Sequence, residues 1–250
     1  MALENESIMV LVKATPNWST TSGRYTICTA GVNKNGEWRR LYPMFWQTIK
    51  SRSIKVWDEI SIDSTEPDKD ARPESRKIRN ESVKNLGCAI EDREERRDFL
   101  RKLEDAYLPD ATQKVKTLSL IRPILFDFSV GKREETINQA TLYGGIFKKR
   151  PYDDVGIFYE FKCGQEGCAM CSEVGKFHKM ECFDFGSNEL YRKYDDEKEA
   201  REKVRDMCFV RMKTEFDCWF AMGTHSRYPF LRWMIVGLLW MKKEQPSGAL

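Results

Sequence analysis

Cys163, Cys168, Cys171 and His178 fall within sixteen consecutive residues, and Cys182 follows four positions later. These are soft donors at spacings a short hairpin can close around one ion. A thiolate pair separated by two residues wraps a tetrahedral metal because the intervening backbone turns back toward both sulfurs. Cys168 and Cys171 have that spacing, and Gly164, Gly167 and Gly175 beside them ease tight turns. The first expectation is therefore a Cys3His zinc site made of Cys163, Cys168, Cys171 and His178. A zinc knuckle of Cys168, Cys171, His178 and Cys182 is a second arrangement. A third is an iron–sulfur cluster, since Cys163-x4-Cys168-x2-Cys171 has the plant-type ferredoxin order, with Cys182, Cys208 or Cys218 completing it. His225 is a further rival for the place of Cys171. Reduced cysteines with no metal are the plain alternative. A closed four-ligand zinc set leaves no position for water, so a structural role is expected.

A second chemistry-bearing stretch lies earlier. Between Arg24 and Trp57 stand seven basic residues and a single acid, Glu37. Trp38, Tyr42, Phe45, Trp46 and Trp57 are interleaved with them. Cations that track phosphates and aromatic faces that stack on bases together make a single-strand binding surface. Trp38, Arg39, Arg40, Tyr42 and Trp46 are the expected contacts. The same pattern also arises when alternate aromatics of a strand are core and the charges between them face water.

His225, Arg227, Tyr228 and Arg232 crowd one loop. Arg227 and Tyr228 form a second candidate nucleic-acid patch. In an enzymatic alternative, His225 and Arg227 meet a phosphate and Asp70 or Glu74 assists, since an imidazole titrates near neutrality. Asp70-Ala-Arg-Pro-Glu-Ser75 reads equally well as an internally paired loop. No phosphate loop, dinucleotide-binding glycine motif or nucleophile elbow is present.

The elements that must position these groups read as mixed. A chain of 250 residues builds a core without disulfides. Its 42 basic and 39 acidic residues leave a net charge of +3, too small to name a partner. The polar opening and the absence of a long apolar run predict a cytoplasmic protein with no membrane partner, in which cysteines stay reduced. Strands are expected at 8–13, 25–32 and 54–62, with Asn33–Gly36 turning the second into 37–42. A short helix is expected within 43–53, a loop over 63–82 and a helix over 90–107. Two strands broken at Arg122-Pro123, an irregular 131–156 and a strand at 157–161 lead into the cysteines. One long helix over 188–214 and a C-terminal hairpin of 216–222 with 233–240 close the chain. No internal repeat is visible. The fold class is α+β, with a small β-barrel first, further strands, a zinc-bound knot, one long helix and a C-terminal β-hairpin. The expected domains are 1–85, β-rich, and 86–250, α+β and holding the metal knot.

Tyr25-Thr-Ile-Cys-Thr-Ala-Gly-Val32, Gly36-Glu-Trp-Arg-Arg-Leu-Tyr-Pro43 and Asp70–Ser75 resemble the opening of an uncharacterised prokaryotic protein family. Their first part is similar to the dual-OB-containing domain, which shares a Cys-x-Ala-Gly turn followed by Gly-x-Trp-x-Arg. The likeness extends through Leu118–Pro123 and the 163–191 region. It implies OB-like barrels and nucleic-acid binding. It also implies that the segment around Cys171 is an insertion, which favours Cys163, Cys168 and His178 as ligands. Together these readings predict a zinc-stapled protein that binds single-stranded or structured DNA or RNA without catalysis of its own. A nucleotide-processing enzyme and a partner-binding subunit of a larger complex are the alternatives.

Overall fold

A computed structural model describes residues 3–110, 116–132, 155–225 and 228–244, without the side chains of Lys132, Tyr228 and Leu231. It is a mixed α+β molecule built on two curled sheets.

The first sheet contains β1 (Glu4–Lys13), β2 (Asn17–Ser19), β3 (Arg24–Asn33), β4 (Trp38–Phe45), β5 (Asp58–Thr65), β6 (Ser75–Ile78) and β7 (Lys84–Cys88). The path β1-β3-β4-β6-β5 returns to β1, so five strands close into a barrel. Closure depends on the length of β1. Its first half pairs with β5 and its second half with β3, with a bulge between Val10 and Val12. Such a bulge bends a strand so that it can serve both sides of a barrel. The β3–β4 hairpin turns as its sequence predicts. Gly36 takes a φ of 76°, and the Asn33 side chain accepts from the amides of Asn35 and Glu37. Ile8, Val10, Ile27, Leu41, Ile60 and Ile62 fill the barrel. The short helix α1 (Trp46–Ser51) joins β4 to β5.

The second sheet runs β8 (Leu118–Ile121), β12 (Phe216–His225), β13 (Tyr228–Lys242), β11 (His178–Cys182), β10 (Val155–Cys163) and β9 (Pro123–Lys132). Its two edge strands, β8 and β9, are joined through Arg122 alone. Counted as one bent strand, they give this sheet the order of the first barrel. In chain order the neighbours are first with second, second with third, third with fifth, fifth with fourth, and fourth with first. In both units the third and fifth strands are the parallel pair, β4 with β6 and β11 with β13. In both, helix separates the third strand from the fourth. The chain therefore repeats a topology without repeating a sequence.

The outer faces of the two units pack together. Leu11, Val12, Val32 and Trp38 of the first meet Leu118, Leu120, Trp219 and Val236 of the second. Helix α2 (Arg93–Leu103) covers one side of this seam with Leu100. Its buried Arg97 pairs with Asp217 at 3.2 Å and Glu244 at 2.9 Å. The helix ends at Leu103, short of the expected end at 107. β7, which completes the first sheet, crosses the expected boundary at 85.

Three other expectations are corrected. The stretch 63–82 holds strand β6, which pairs with β4 and β5 and buries Ser75 and Ile78. The knot itself contains β11. The single long helix is instead α3 (Phe185–Arg192), then α4 (Glu197–Arg205), a π-helical turn Asp206–Arg211 and α5 (Met212–Glu215). Asp196 makes the break by capping α4, accepting from the Glu199 amide at 2.7 Å. At the π turn the Tyr159 hydroxyl, in the core, donates to the Cys208 carbonyl at 2.8 Å. Most of 131–156 lies outside the described residues.

Candidate metal centre

Cys163 ends β10 and His178 opens β11, so the ladder that pairs Phe161 with His178 sets two ligands side by side. Cys168 and Cys171 come from the loop between these strands. A turn carries them, with the amides of Cys171 and Ser172 both donating to the Cys168 carbonyl. Gly167 and Gly175 take φ values of 107° and 79°, the left-handed conformation that glycine adopts without strain. All four residues are buried.

Their donor atoms lie within 4.8 Å of one another. His178 Nε2 is 3.5 Å from Cys163 Sγ and 3.4 Å from Cys168 Sγ. Metal–sulfur bonds of about 2.3 Å and metal–nitrogen bonds of about 2.0–2.1 Å put sulfur and nitrogen about 3.6 Å apart on a tetrahedron. The observed separations therefore fit one ion held by four ligands. Burial pushes the Cys163 and Cys171 thiols up and the His178 imidazole down. A cation reverses that preference for the thiols and suits a neutral imidazole. The Leu108 amide donates to Cys163 Sγ at 3.3 Å and the Cys163 amide to Cys171 Sγ at 3.4 Å. The Phe161 ring lies 5.0 Å from the His178 ring, fixing its plane. This Cys3His cluster can hold a metal ion.

Cys171 belongs to this cluster despite its place in the insertion that the resemblance implies. The rivals are elsewhere. Cys182 is buried with its sulfur 3.8 Å from Ser187 Oγ, and Cys208 lies on the π turn. Cys218 is in β12, and His225 ends that strand. Among the described residues no other cluster of potential ligands of this kind occurs.

The expected nucleic-acid contacts do not form one face. Trp38 is buried in the seam between the two units. Arg40 is buried too, donating to the Thr117 carbonyl at 2.9 Å, with its other terminal nitrogen 3.7 Å from Cys28 Sγ. Both are withdrawn from any surface a strand could reach. Their strand alternates as a solvent-facing strand does, but its outer face meets protein. Arg39 is paired with Glu6 at 3.1 Å and Glu37 at 2.7 Å. Tyr42 is 45% exposed, and Trp46 opens α1 with its ring 5.0 Å from Phe185. Arg227 lies outside the described residues, as does the side chain of Tyr228.

Asp70 and Glu74 are engaged at the seam. Asp70 holds Arg72 at 2.6 Å and Ser75 at 2.8 Å, and Arg72 reaches the Thr224 carbonyl at 2.7 Å. Glu74 accepts from the Thr117 amide and hydroxyl at 2.7 and 2.6 Å and from the Leu118 amide at 3.2 Å. The 70–75 segment thus fastens one unit to the other. Its two acids and one arginine carried the signal, but the seam partners of Arg72 and Glu74 lie far away in sequence.

Residues 4–102 match a family model described as a domain of unknown function (DUF8758), which fits an uncharacterised family. No curated protein matches the chain. Among the described residues no helix is long and apolar enough to cross a membrane.

Proposed function

We propose that this is a cytoplasmic, zinc-stapled protein of two OB-like barrels that binds single-stranded nucleic acid and does not itself catalyse a reaction. The observation that carries the reading is the twice-repeated strand order, with its parallel pair between third and fifth strands and helix between third and fourth. OB-folds are five-stranded Greek-key barrels that bind oligonucleotides and oligosaccharides. The excess of basic residues in the first barrel favours the nucleotide ligand.

Zinc is the ion that this donor set suits best. Three thiolates and an imidazole fill a tetrahedron and leave no place for substrate. Cys163, Cys168, Cys171 and His178 would hold it, and its contribution is structural. Metal analysis of purified protein should give one zinc per chain and no visible absorption. Iron with sulfide would replace zinc by a cluster. Binding of a labelled oligothymidylate or oligouridylate tests the nucleic-acid reading. Affinity should fall steeply as salt rises, because each neutralised phosphate releases counterions.

A second reading, a subunit of a larger complex, is favoured by apolar residues around the metal knot. Ile124, Phe126, Met170 and Phe177 are each 40% exposed or more. Co-purification of one protein partner with a chain that binds no oligonucleotide would select it.

A further inference from the structure

The geometry points to a recess beside α1 of the first barrel as the place where a single-stranded nucleic acid lies, an assignment that rests on the nucleic-acid reading above. An open recess of about 780 Å³ is lined by Arg24, Phe45, Trp46, Lys50 and Arg52. A second hollow of about 400 Å³, lined by Trp18 and Tyr25, shares Arg24 and Gln47 with it. The two adjoin at the start of β3 and the start of α1.

Three properties suit a strand of phosphates and bases. The first is charge. Arg24, Lys50 and Arg52 face the recess against a single carboxylate, Glu81. Among the described residues none of the three cations forms an ion pair. Lys176 and Lys179 near the metal knot differ. Lys176 is paired with Glu173 at 2.7 Å and Lys179 with Glu160 at 3.1 Å.

The second is aromatic surface. Trp18 is 36% exposed and stands edge-on to Tyr25 at 5.0 Å. Phe45 carries the Arg24 guanidinium 5.0 Å from its ring centre. Trp46 lines the same recess. Bases stack on such faces without regard to sequence.

The third is rigidity. Asn80 fixes the wall, accepting from the Phe45 amide at 2.7 Å and the Thr48 hydroxyl at 3.1 Å while donating to the Pro43 carbonyl at 2.7 Å. Arg52 is steadied by the Val83 and Glu81 carbonyls, which leave its charge uncompensated. The usual ligand face of an OB-fold, the outside of its second and third strands, is largely closed in this barrel. Ala30, Val32, Trp38 and Arg40 on β3 and β4 are buried there.

The test is fluorescence anisotropy with oligothymidylate and oligouridylate of about 16 nucleotides, the upper site size for one OB-fold. Full-length wild type is compared with Arg24→Gln/Lys50→Gln and with Trp46→Ala. Arg24 and Lys50 are exposed, so the double variant keeps the fold even if loss of the Trp46–Phe185 contact disturbs it. The double variant should weaken binding by about tenfold and flatten the slope of log affinity against log salt by about 1.4, or 0.7 per phosphate contact on a single strand. Trp46→Ala should weaken binding about fivefold or more through lost stacking. Wild-type binding that is unchanged in the folded double variant overturns the recess and leaves the nucleic-acid reading standing. So does loss of binding in Phe126→Ser/Phe177→Ser instead. Wild type that binds neither oligonucleotide overturns both.

Discussion

Replacing Cys168 with serine should release the loop 164–177 while leaving the first barrel intact. Of these fourteen residues only Cys168 and Cys171 are buried. Met170, Val174 and Phe177, the large apolar side chains of the loop, are exposed. Ordering the backbone of such a loop costs at least about 1 kcal/mol per residue, or about 14 kcal/mol in all. Two buried thiols return about 1–2 kcal/mol each. A structural zinc contributes about 10–16 kcal/mol, the size of the remainder. Serine is nearly isosteric but a poor zinc ligand, so this substitution should remove the proposed ion with little change in packing. Hydrogen exchange reads the result directly. The amides of Cys171 and Ser172, bonded to the Cys168 carbonyl, should exchange freely in the variant or after chelation. Amides of β3 and β4 should keep their protection. Cys182→Ser, outside the cluster, should retain one zinc and a protected loop. A metal-free Cys168→Ser protein that still protected Cys171 and Ser172 would refute the reasoning.

Other changes report on the seam and on pH. Glu74→Ala strands two buried amides and a hydroxyl at about 1–3 kcal/mol for an unsatisfied group, so urea denaturation should show a loss of about 3 kcal/mol or more. A loss below about 1 kcal/mol would show that the 70–75 segment does not fasten the units. Burial pushes the Asp184 carboxyl up to about 6, although it accepts from the Ser187 and Leu238 amides. The folded chain then holds a proton that the unfolded chain has lost, so this group's contribution makes stability decline as pH rises from about 4 toward 6. Asp184→Asn keeps a helix cap and should flatten that decline. An unchanged pH profile in the variant would remove Asp184 as its source.

Much of this was legible in the chain because it is local. Asn33–Gly36 announces a hairpin by its conformational needs alone. Cys168 and Cys171 announce a metal turn by spacing, whereas the strand β11 that carries His178 was not expected. What was not legible depends on distant partners. Trp38 and Arg40 alternate along β4 as surface residues do, and only Thr117 and the β8–β12 face make that surface an interior. β6 is short and polar apart from Ile78, so its periodicity is too weak to mark a strand. The repeated topology leaves no mark at all, because strand order is fixed by which elements pair across the chain rather than by any residue within them. The excess charge between Arg24 and Trp57 was real, but the fold divides it. Arg40 goes to the seam and Arg39 to Glu6 and Glu37, while Arg24 and Lys50 stay with solvent and Arg52 lies half-buried against the Val83 and Glu81 carbonyls.

The most direct measurement is the affinity of the zinc-loaded protein for a single-stranded oligonucleotide between about 50 and 200 mM salt. Three cations that form no ion pair among the described residues predict binding whose logarithm falls with log salt at a slope near −2, about −0.7 for each phosphate contacted. A flat response, or no binding at the lowest salt, would contradict the assignment of this protein to single-stranded nucleic acid.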